Sequence, residues 1–372
     1  MAARATSSAR IHLRIRCVHR NRAQDPDRIL HMAIPFKLGT FSVAGCAPFG
    51  GLIVDDRVLA LNALQPFLRR EQLEFFCDGS TLSVLDEWQR NYPVLQRVAE
   101  ATHRGGDPML AEAAAPLETL KRHAPVRSRN VICSGANYFK HVVDIIVAQT
   151  RPETEGMNEQ QRREFGRAKM TDRRLNGTPF FFIKANSTMI GPYDPVLLPP
   201  DITTMDWELE LGVVIGKRAR FVTRERALEH VAGYMVVNDL TIRERVNRKD
   251  MQEMGMDWVG SKCAPTALPT GPYLVPAAFV GDPQALHITL THNGRVMQDE
   301  DTADMIFDCA RLIESLSKFM ALQPGDLICT GSPAGNGIHH GILLKPGDLM
   351  EGTISGPLES LGTQRNLCHA ET

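Results

Sequence analysis

Apolar and polar positions along the chain fall into recognisable periods only from Phe36 onward. The first stretch opens on the alternating Thr40-Phe41-Ser42-Val43, passes a Gly50-Gly51 pair that reads as a turn, and continues with the strand-like Leu52-Ile53-Val54. Two helices are expected next, near 81–90, which Ser80 can cap, and near 93–102. Residues 32–125 therefore read as a small α+β unit, closed by the connector Ala124-Pro125-Val126.

A larger unit follows over 126–372. Its short β-like runs, near 130–133, 180–184, 195–198, 209–215, 233–238, 287–291, 326–330 and 349–354, are separated by Pro and Gly. That spacing predicts a β-rich domain rather than regular βαβ alternation. One clear helix is expected over 309–320, where Leu312, Ile313, Leu316, Phe319 and Met320 share a face ahead of Gln323-Pro324-Gly325. Residues 151–176 are dense in Glu, Gln, Arg and Lys, which predicts a solvated helix or a flap and excludes a core element. The two Pro-Gly-Asp phrases at 324–326 and 346–348 share turn chemistry and do not mark a repeat.

Composition narrows the function classes. The chain has 372 residues, room for one large domain or two, and 43% apolar residues, as in a soluble globular protein. A formal charge of −1 gives no global field toward nucleic acid or an anionic membrane. Eight cysteines without a CxxC pair do not read as a disulfide framework, so a reducing compartment is expected. No run reaches the roughly 18–20 apolar residues of a membrane helix. Residues 1–31 carry Arg4, Arg10, Arg14, Arg16, Arg20, Arg22 and Arg28 against Asp25 and Asp27. This reads as a disordered basic tail, or an extension upstream of Met32, with an organelle presequence as the alternative. The expected location is cytoplasmic, or mitochondrial if a presequence is present.

The densest chemistry lies in Met205-Asp206-Trp207-Glu208-Leu209-Glu210-Leu211-Gly212. Strand alternation sets Trp207, Leu209 and Leu211 on one face and Glu208 and Glu210 on the other, roughly 7 Å apart. Two such carboxylates repel, and burying either alone is costly; a bound cation resolves both problems, whereas a half-exposed strand simply solvates them. The apolar run Ala232 to Asn238 ends in Asp239, a third acid that is otherwise a helix cap. Three carboxylates without Cys or His nearby describe a site for a hard ion, Mg²⁺, Mn²⁺ or Ca²⁺, rather than zinc. His141 and Asp144 sit three apart, so on a helix the carboxylate could orient the imidazole; alone, the histidine is more often structural. The loop Thr330-Gly331-Ser332-Pro333-Ala334-Gly335-Asn336-Gly337 could present backbone N–H groups to an oxyanion, but lacks the ending of a phosphate loop.

Taken together, these segments resemble the fumarylacetoacetate hydrolase family. The motifs run in order from Gly135-Ala136-Asn137-Tyr138 with His141, through Pro179 to Lys184 and Asp206-Trp207-Glu208-Leu209-Glu210-Leu211, to Gly233-Tyr234 with Asn238-Asp239 and Arg243. Trp258 with Lys262, Gly271-Pro272, Asn293-Gly294 with Gln298, and Pro324-Gly325-Asp326 through Gly335 complete the set. The resemblance implies an α+β chain whose large domain is a mixed β-sandwich roll, preceded by a small N-terminal domain, usually homodimeric, with a lid about 142–178. It implies Mg²⁺ or Mn²⁺ on Glu208, Glu210 and Asp239, and small-molecule 1,3-diketo or 2-oxo acids as substrates, as in aromatic-compound catabolism. Lys262 would hydrogen-bond the developing enolate, and Arg243, Tyr138, Thr330 and Ser332 would bind substrate. His141, oriented by Asp144, would activate a water. The chain departs from the family at Val246, where Gln is frequent, at Cys263-Ala264-Pro265-Thr266, and at Asp144, where Glu is usual.

The leading expectation is a metal-dependent hydrolase that cleaves a C–C bond in an acylpyruvate-like diketo acid. The alternatives are a decarboxylase, tautomerase or hydratase of 2-oxo acids on the same fold, and a non-catalytic dimeric homologue. Nothing supports a nucleic-acid or membrane partner, since the only basic block is the N-terminal tail.

Overall fold

Buried β-branched and aliphatic runs build two facing sheets. The computed structural model describes residues 33–371 apart from 150, 249, 251, 252 and 254; the expectation for residues 1–31 lies outside them. A six-stranded mixed sheet runs in the order Val275–Pro276, Val231–Asn238, Leu209–Ile215, Leu327–Cys329, Val131–Gly135, Phe180–Lys184. Its neighbours are antiparallel except Leu327–Cys329 and Val131–Gly135. A five-stranded sheet, in the order Arg295–Asp301, His287–His292, Leu349–Ser355, Gly362–Ala370, Val196–Leu198, packs against it. Every residue of Leu209–Ile215 and Val231–Asn238 is buried, because one face meets the second sheet and the other is covered by helices and loops. The α+β sandwich expected from the sequence is the fold observed.

Residues 34–372 form one compact unit. Within it, residues 37–122 supply an antiparallel sheet ordered Ala114–Pro116, Arg57–Ala60, Phe49–Val54, Lys37–Ser42, Lys121–Arg122, with short helices alongside. Ser80 caps the helix Thr81–Asp86 by accepting from Ser83 N, as its position predicts. The next helix, Trp88–Arg104, starts earlier than the periodicity indicates and runs through Pro93. The buried Asn91 side chain pins that start by bonding the Phe76 backbone and Val84 O.

Gly50-Gly51 is not a turn. Both glycines lie inside the strand Phe49–Val54 and pair with Thr40 and Gly39. They serve close approach instead: a Cβ on Gly50 would stand 2.8 Å from Gly79 O and 2.9 Å from Thr81 N. Gly50→Ala should therefore cost about 1–3 kcal/mol, read as a lower urea midpoint at an unchanged m-value.

The charged stretch after His141 is a helix. Glu159–Asn176 begins with a capping box between Asn158 and Gln161 and buries only Gly166 and Met170. Gly166 lies against Val143 and Ile146 of the helix Phe139–Ala148. Arg173 donates to Ala136 O, and Arg174 to Asp304 O and Met305 O, so arginines fasten its C-terminal end. No helix among the described residues is long and apolar enough to cross a membrane, and the seven cysteines among them are free.

Candidate metal centre

The ladder is interrupted within the acidic stretch. Pairing stops after Asp206 and resumes at Leu209, so Glu208 sits in a break of the ladder. That break is held by side chains: Glu208 N donates to Asn238 Oδ1 at 2.9 Å and Leu209 N to Gln298 Oε1 at 3.0 Å. Asp239 follows the neighbouring strand directly, and its N donates to Glu208 O at 2.8 Å. It caps no helix. The result is a triad, Glu208, Glu210 and Asp239, all buried, each offering an oxygen within 4.8 Å of the others. The half-exposed, solvated alternative does not hold.

Cationic side chains surround two members of the triad. Lys262 Nζ lies 2.5 Å from both Glu208 Oε2 and Asp239 Oδ2. Lys184, also fully buried, donates to Asp239 Oδ1 at 2.7 Å and Leu240 O at 3.0 Å. Arg243 Nη1 forms an ion pair with Glu208 Oε1 at 2.8 Å, and its Nε donates to Asp206 Oδ2 at 2.8 Å. Burial pushes the Glu208 carboxyl up, but Lys262 and Arg243 outweigh it and hold the group at about 2. The Lys262 ammonium loses stability through burial, yet Asp239 and Glu208 raise its pKa overall.

Glu210 differs. Its carboxylate accepts one hydrogen bond, from Gly331 N at 2.8 Å, and no ion pair reaches it among the described residues. Burial, then the charges of Asp239, Cys329 and Glu208, drive its pKa well up. An oxygen-only donor set in which one buried carboxylate lacks a cationic partner fits a hard divalent cation.

The remaining expected residues fall into three groups. His141 is buried on the helix Phe139–Ala148, and its Nδ1 has no hydrogen-bond partner among the described residues. Burial, with His339, Arg243 and Lys262 against the opposing pull of Glu208, lowers its pKa to about 3 and keeps the imidazole neutral. Asp144 does not orient it. The aspartate Oδ1 accepts from Arg163 Nη1 at 3.1 Å, because the charged helix lays Arg163 on the carboxylate. Thr330 and Ser332 are buried with their hydroxyls occupied: Thr330 Oγ1 donates to Leu211 O, and Ser332 Oγ accepts from Gln298 and Asn336. Tyr138 is fully buried, and its hydroxyl has no hydrogen-bond partner among the described residues. The Gly-rich loop spends its amides on acids of the site, Gly331 N on Glu210, and Gly337 N and Ile338 N on Asp206.

Sequence reasoning left four contributors without a role. Lys184 closes the apolar strand Phe180–Lys184, where a buried ammonium must find a carboxylate, and that is the signal that could have found it. Gln298 and Asn336 tie the Glu208 break to the Ser332 loop. His339 packs edge-on against His141, ring centroids 5.4 Å apart, and nothing local in the sequence announces that contact.

A mixed β-sandwich that gathers three buried carboxylates and two buried lysines beside a buried histidine offers the donor set of an oxygen-ligand metal centre. The model of the fumarylacetoacetate (FAA) hydrolase C-terminal family matches residues 130–368, and the chain belongs to that family. It is 47% identical over 190 residues to 2,4-didehydro-3-deoxy-L-rhamnonate hydrolase of Sphingomonas sp. (strain SKA58), covering 50% of this chain and 64% of that one. It is 35% identical over 317 residues to the mitochondrial oxaloacetate tautomerase FAHD2A of Bos taurus, covering 84% of this chain and 82% of the relative. Among solved structures, a fumarylacetoacetate hydrolase from Exiguobacterium antarcticum superposes with a TM-score of 0.64 at 26% identity, covering 90% of this chain and all of that one.

Proposed function

We propose that this chain is a divalent-metal-dependent enzyme of 2-oxo acids that interconverts their keto and enol forms. The observation that carries this reading is the neutral, unassisted His141 beside the triad, with Asp144 engaged by Arg163 instead. Stripping a proton from water for hydrolysis calls for a base of raised basicity, normally supplied by an acidic partner. Moving a proton at the carbon next to a polarised carbonyl asks less of the base.

Glu208, Glu210 and Asp239 would hold the cation, Mg²⁺ or Mn²⁺. When bound, it supplies positive charge to the carboxylate and 2-oxo oxygens of the substrate. Lys262 donates a hydrogen bond to the oxygen on which negative charge grows as the C3 proton leaves. His141 takes that proton, and one is returned to the oxygen, so the enol differs from the ketone only in where the proton sits. Arg243 neutralises the substrate's charge, and the helix Glu159–Asn176 limits access of bulk water. Support comes from the oxaloacetate tautomerases, which align over most of both chains. A homodimer in the cytoplasm or mitochondrion belongs to this reading.

The second reading is C–C hydrolysis of an acylpyruvate-like diketo acid, favoured by the 47% identity to a rhamnonate-derived hydrolase. Decay of oxaloacetate enol absorbance and pyruvate release from acylpyruvates, each with and without Mg²⁺ or Mn²⁺, separate the two. Metal-dependent tautomerisation without pyruvate release is expected. His141→Ala should lower the rate about 10²–10⁴-fold, and Asp144→Ala no more than about 3-fold. Equal losses for both variants, together with pyruvate release, would establish the hydrolase instead.

A further inference from the structure

The geometry points to His339 as a specificity-determining residue that, beside Arg243, receives the far carboxylate of a 2-oxo dicarboxylate. This inference rests on the reading of the site as one for 2-oxo acids and goes beyond it by naming what the second end of the substrate meets.

Asp206 anchors this corner of the site. Its carboxylate has no exposed surface and accepts from Trp207 N at 2.9 Å, Gly337 N at 2.7 Å, Ile338 N at 3.2 Å and Arg243 Nε at 2.8 Å. One buried carboxylate therefore fastens two things at once, the guanidinium at the triad and the single helical turn Gly337–His340. That turn is built for close approach. A Cβ on Gly337 would stand 2.1 Å from Ile342 O, 2.7 Å from the Trp207 ring and 2.8 Å from Asp206 Oδ1. Any other residue would lift the turn off Asp206 and carry His339 with it.

The fastening sets the exposed His339 ring edge-on to the buried His141, centroids 5.4 Å apart at 80°. Arg243 and Asp206 are among the charges it feels most strongly. The Asp206 and Glu208 carboxylates beside it are engaged by Arg243 and backbone amides, which leaves the exposed His339 imidazole and Arg243 Nη2, which makes no hydrogen bond, as the remaining donors among the described residues. Two nitrogen-rich side chains held by a shared carboxylate suit a carboxylate ligand. An aliphatic or aromatic tail would leave the imidazole N–H without a partner. His339 is itself exposed, so replacing it leaves the core untouched.

The test measures binding as well as turnover. Manganese-loaded wild type, His339→Phe and His339→Gln are titrated calorimetrically with oxaloacetate and with pyruvate, which lacks the second carboxylate. His339→Phe keeps a ring against His141 but removes the donor; His339→Gln restores one. The expected result is at least a 10-fold loss of oxaloacetate affinity in His339→Phe, a change within 2-fold for pyruvate, and partial recovery in His339→Gln. Equal weakening of both ligands, or an unchanged preference for oxaloacetate, overturns the assignment. Should wild type fail to tautomerise oxaloacetate while the variant still loses its dicarboxylate preference, the tautomerase reading fails and the role of His339 stands.

Discussion

Replacing Glu210 by Gln is expected to abolish the protein's response to divalent cations while leaving its fold intact. The amide keeps an oxygen for Gly331 N and removes a charge that has no cationic partner. Burial, Asp239, Cys329 and Glu208 all oppose ionisation at that position, so stability in chelator should equal or exceed that of the wild type. With Mg²⁺ or Mn²⁺ at about 100 times its dissociation constant, wild type should gain about 2.7 kcal/mol, seen as a raised thermal midpoint. Glu210→Gln should gain almost nothing and lose on the order of 10³-fold in turnover, because the proposed site would be short of one ligand for the cation. A variant that still shows the full metal-induced shift would remove Glu210 from the metal site.

The second large effect is expected at Lys262. Its ammonium, 3% exposed, is shared between Glu208 Oε2 and Asp239 Oδ2 at 2.5 Å each. Lys262→Met would leave two buried carboxylates short of compensation, and breaking buried pairs of this kind costs roughly 3–5 kcal/mol. The urea midpoint in chelator should fall accordingly. Divalent cation should restore part of it, since the cation compensates the same carboxylates. Activity should stay about 10²–10³-fold down in either condition, because the proposed mechanism would lose its donor to the growing negative charge. Recovery of full activity with metal would mean that Lys262 acts only as a counter-ion.

Much of the frame was legible one residue at a time. The strands Leu209–Ile215 and Phe180–Lys184 coincide with their expected bounds, because runs of aliphatic and aromatic side chains bounded by Gly, Pro or charge carry their own limits. The helix Cys309–Phe319 followed from its apolar face. The Gly50-Gly51 pair misled for an equally physical reason. Paired glycines mark a turn when the chain must reverse, but they also mark a strand where another backbone comes too close for a Cβ, and only the position of Gly79 and Thr81 decides between them.

The candidate site divides the same way. That Glu208, Glu210 and Asp239 needed a common partner could be argued from their apolar surroundings in the chain, since burial of unpaired carboxylates is too costly to be incidental. How the protein's own cations share that burden could not. Lys184 and Lys262 lie 55 and 23 positions from Asp239, and both close on it only because separate elements converge there. Helical spacing placed Asp144 within reach of His141, yet a partner 19 positions away took the carboxylate, since a guanidinium offers it more than a neutral imidazole does.

What the sequence determined by itself was the family, the sandwich and the identity of the acids, because periodicity and ordered motifs are local and survive without coordinates. What the tertiary structure alone decided was the pairing: Glu210 without an ion pair among the described residues, Asp144 turned to Arg163, and His339 carried to His141 by a turn clamped on Asp206. Those outcomes depend on distances of a few ångströms between segments remote in the chain, and charge and hydrogen-bond energies are settled at that scale.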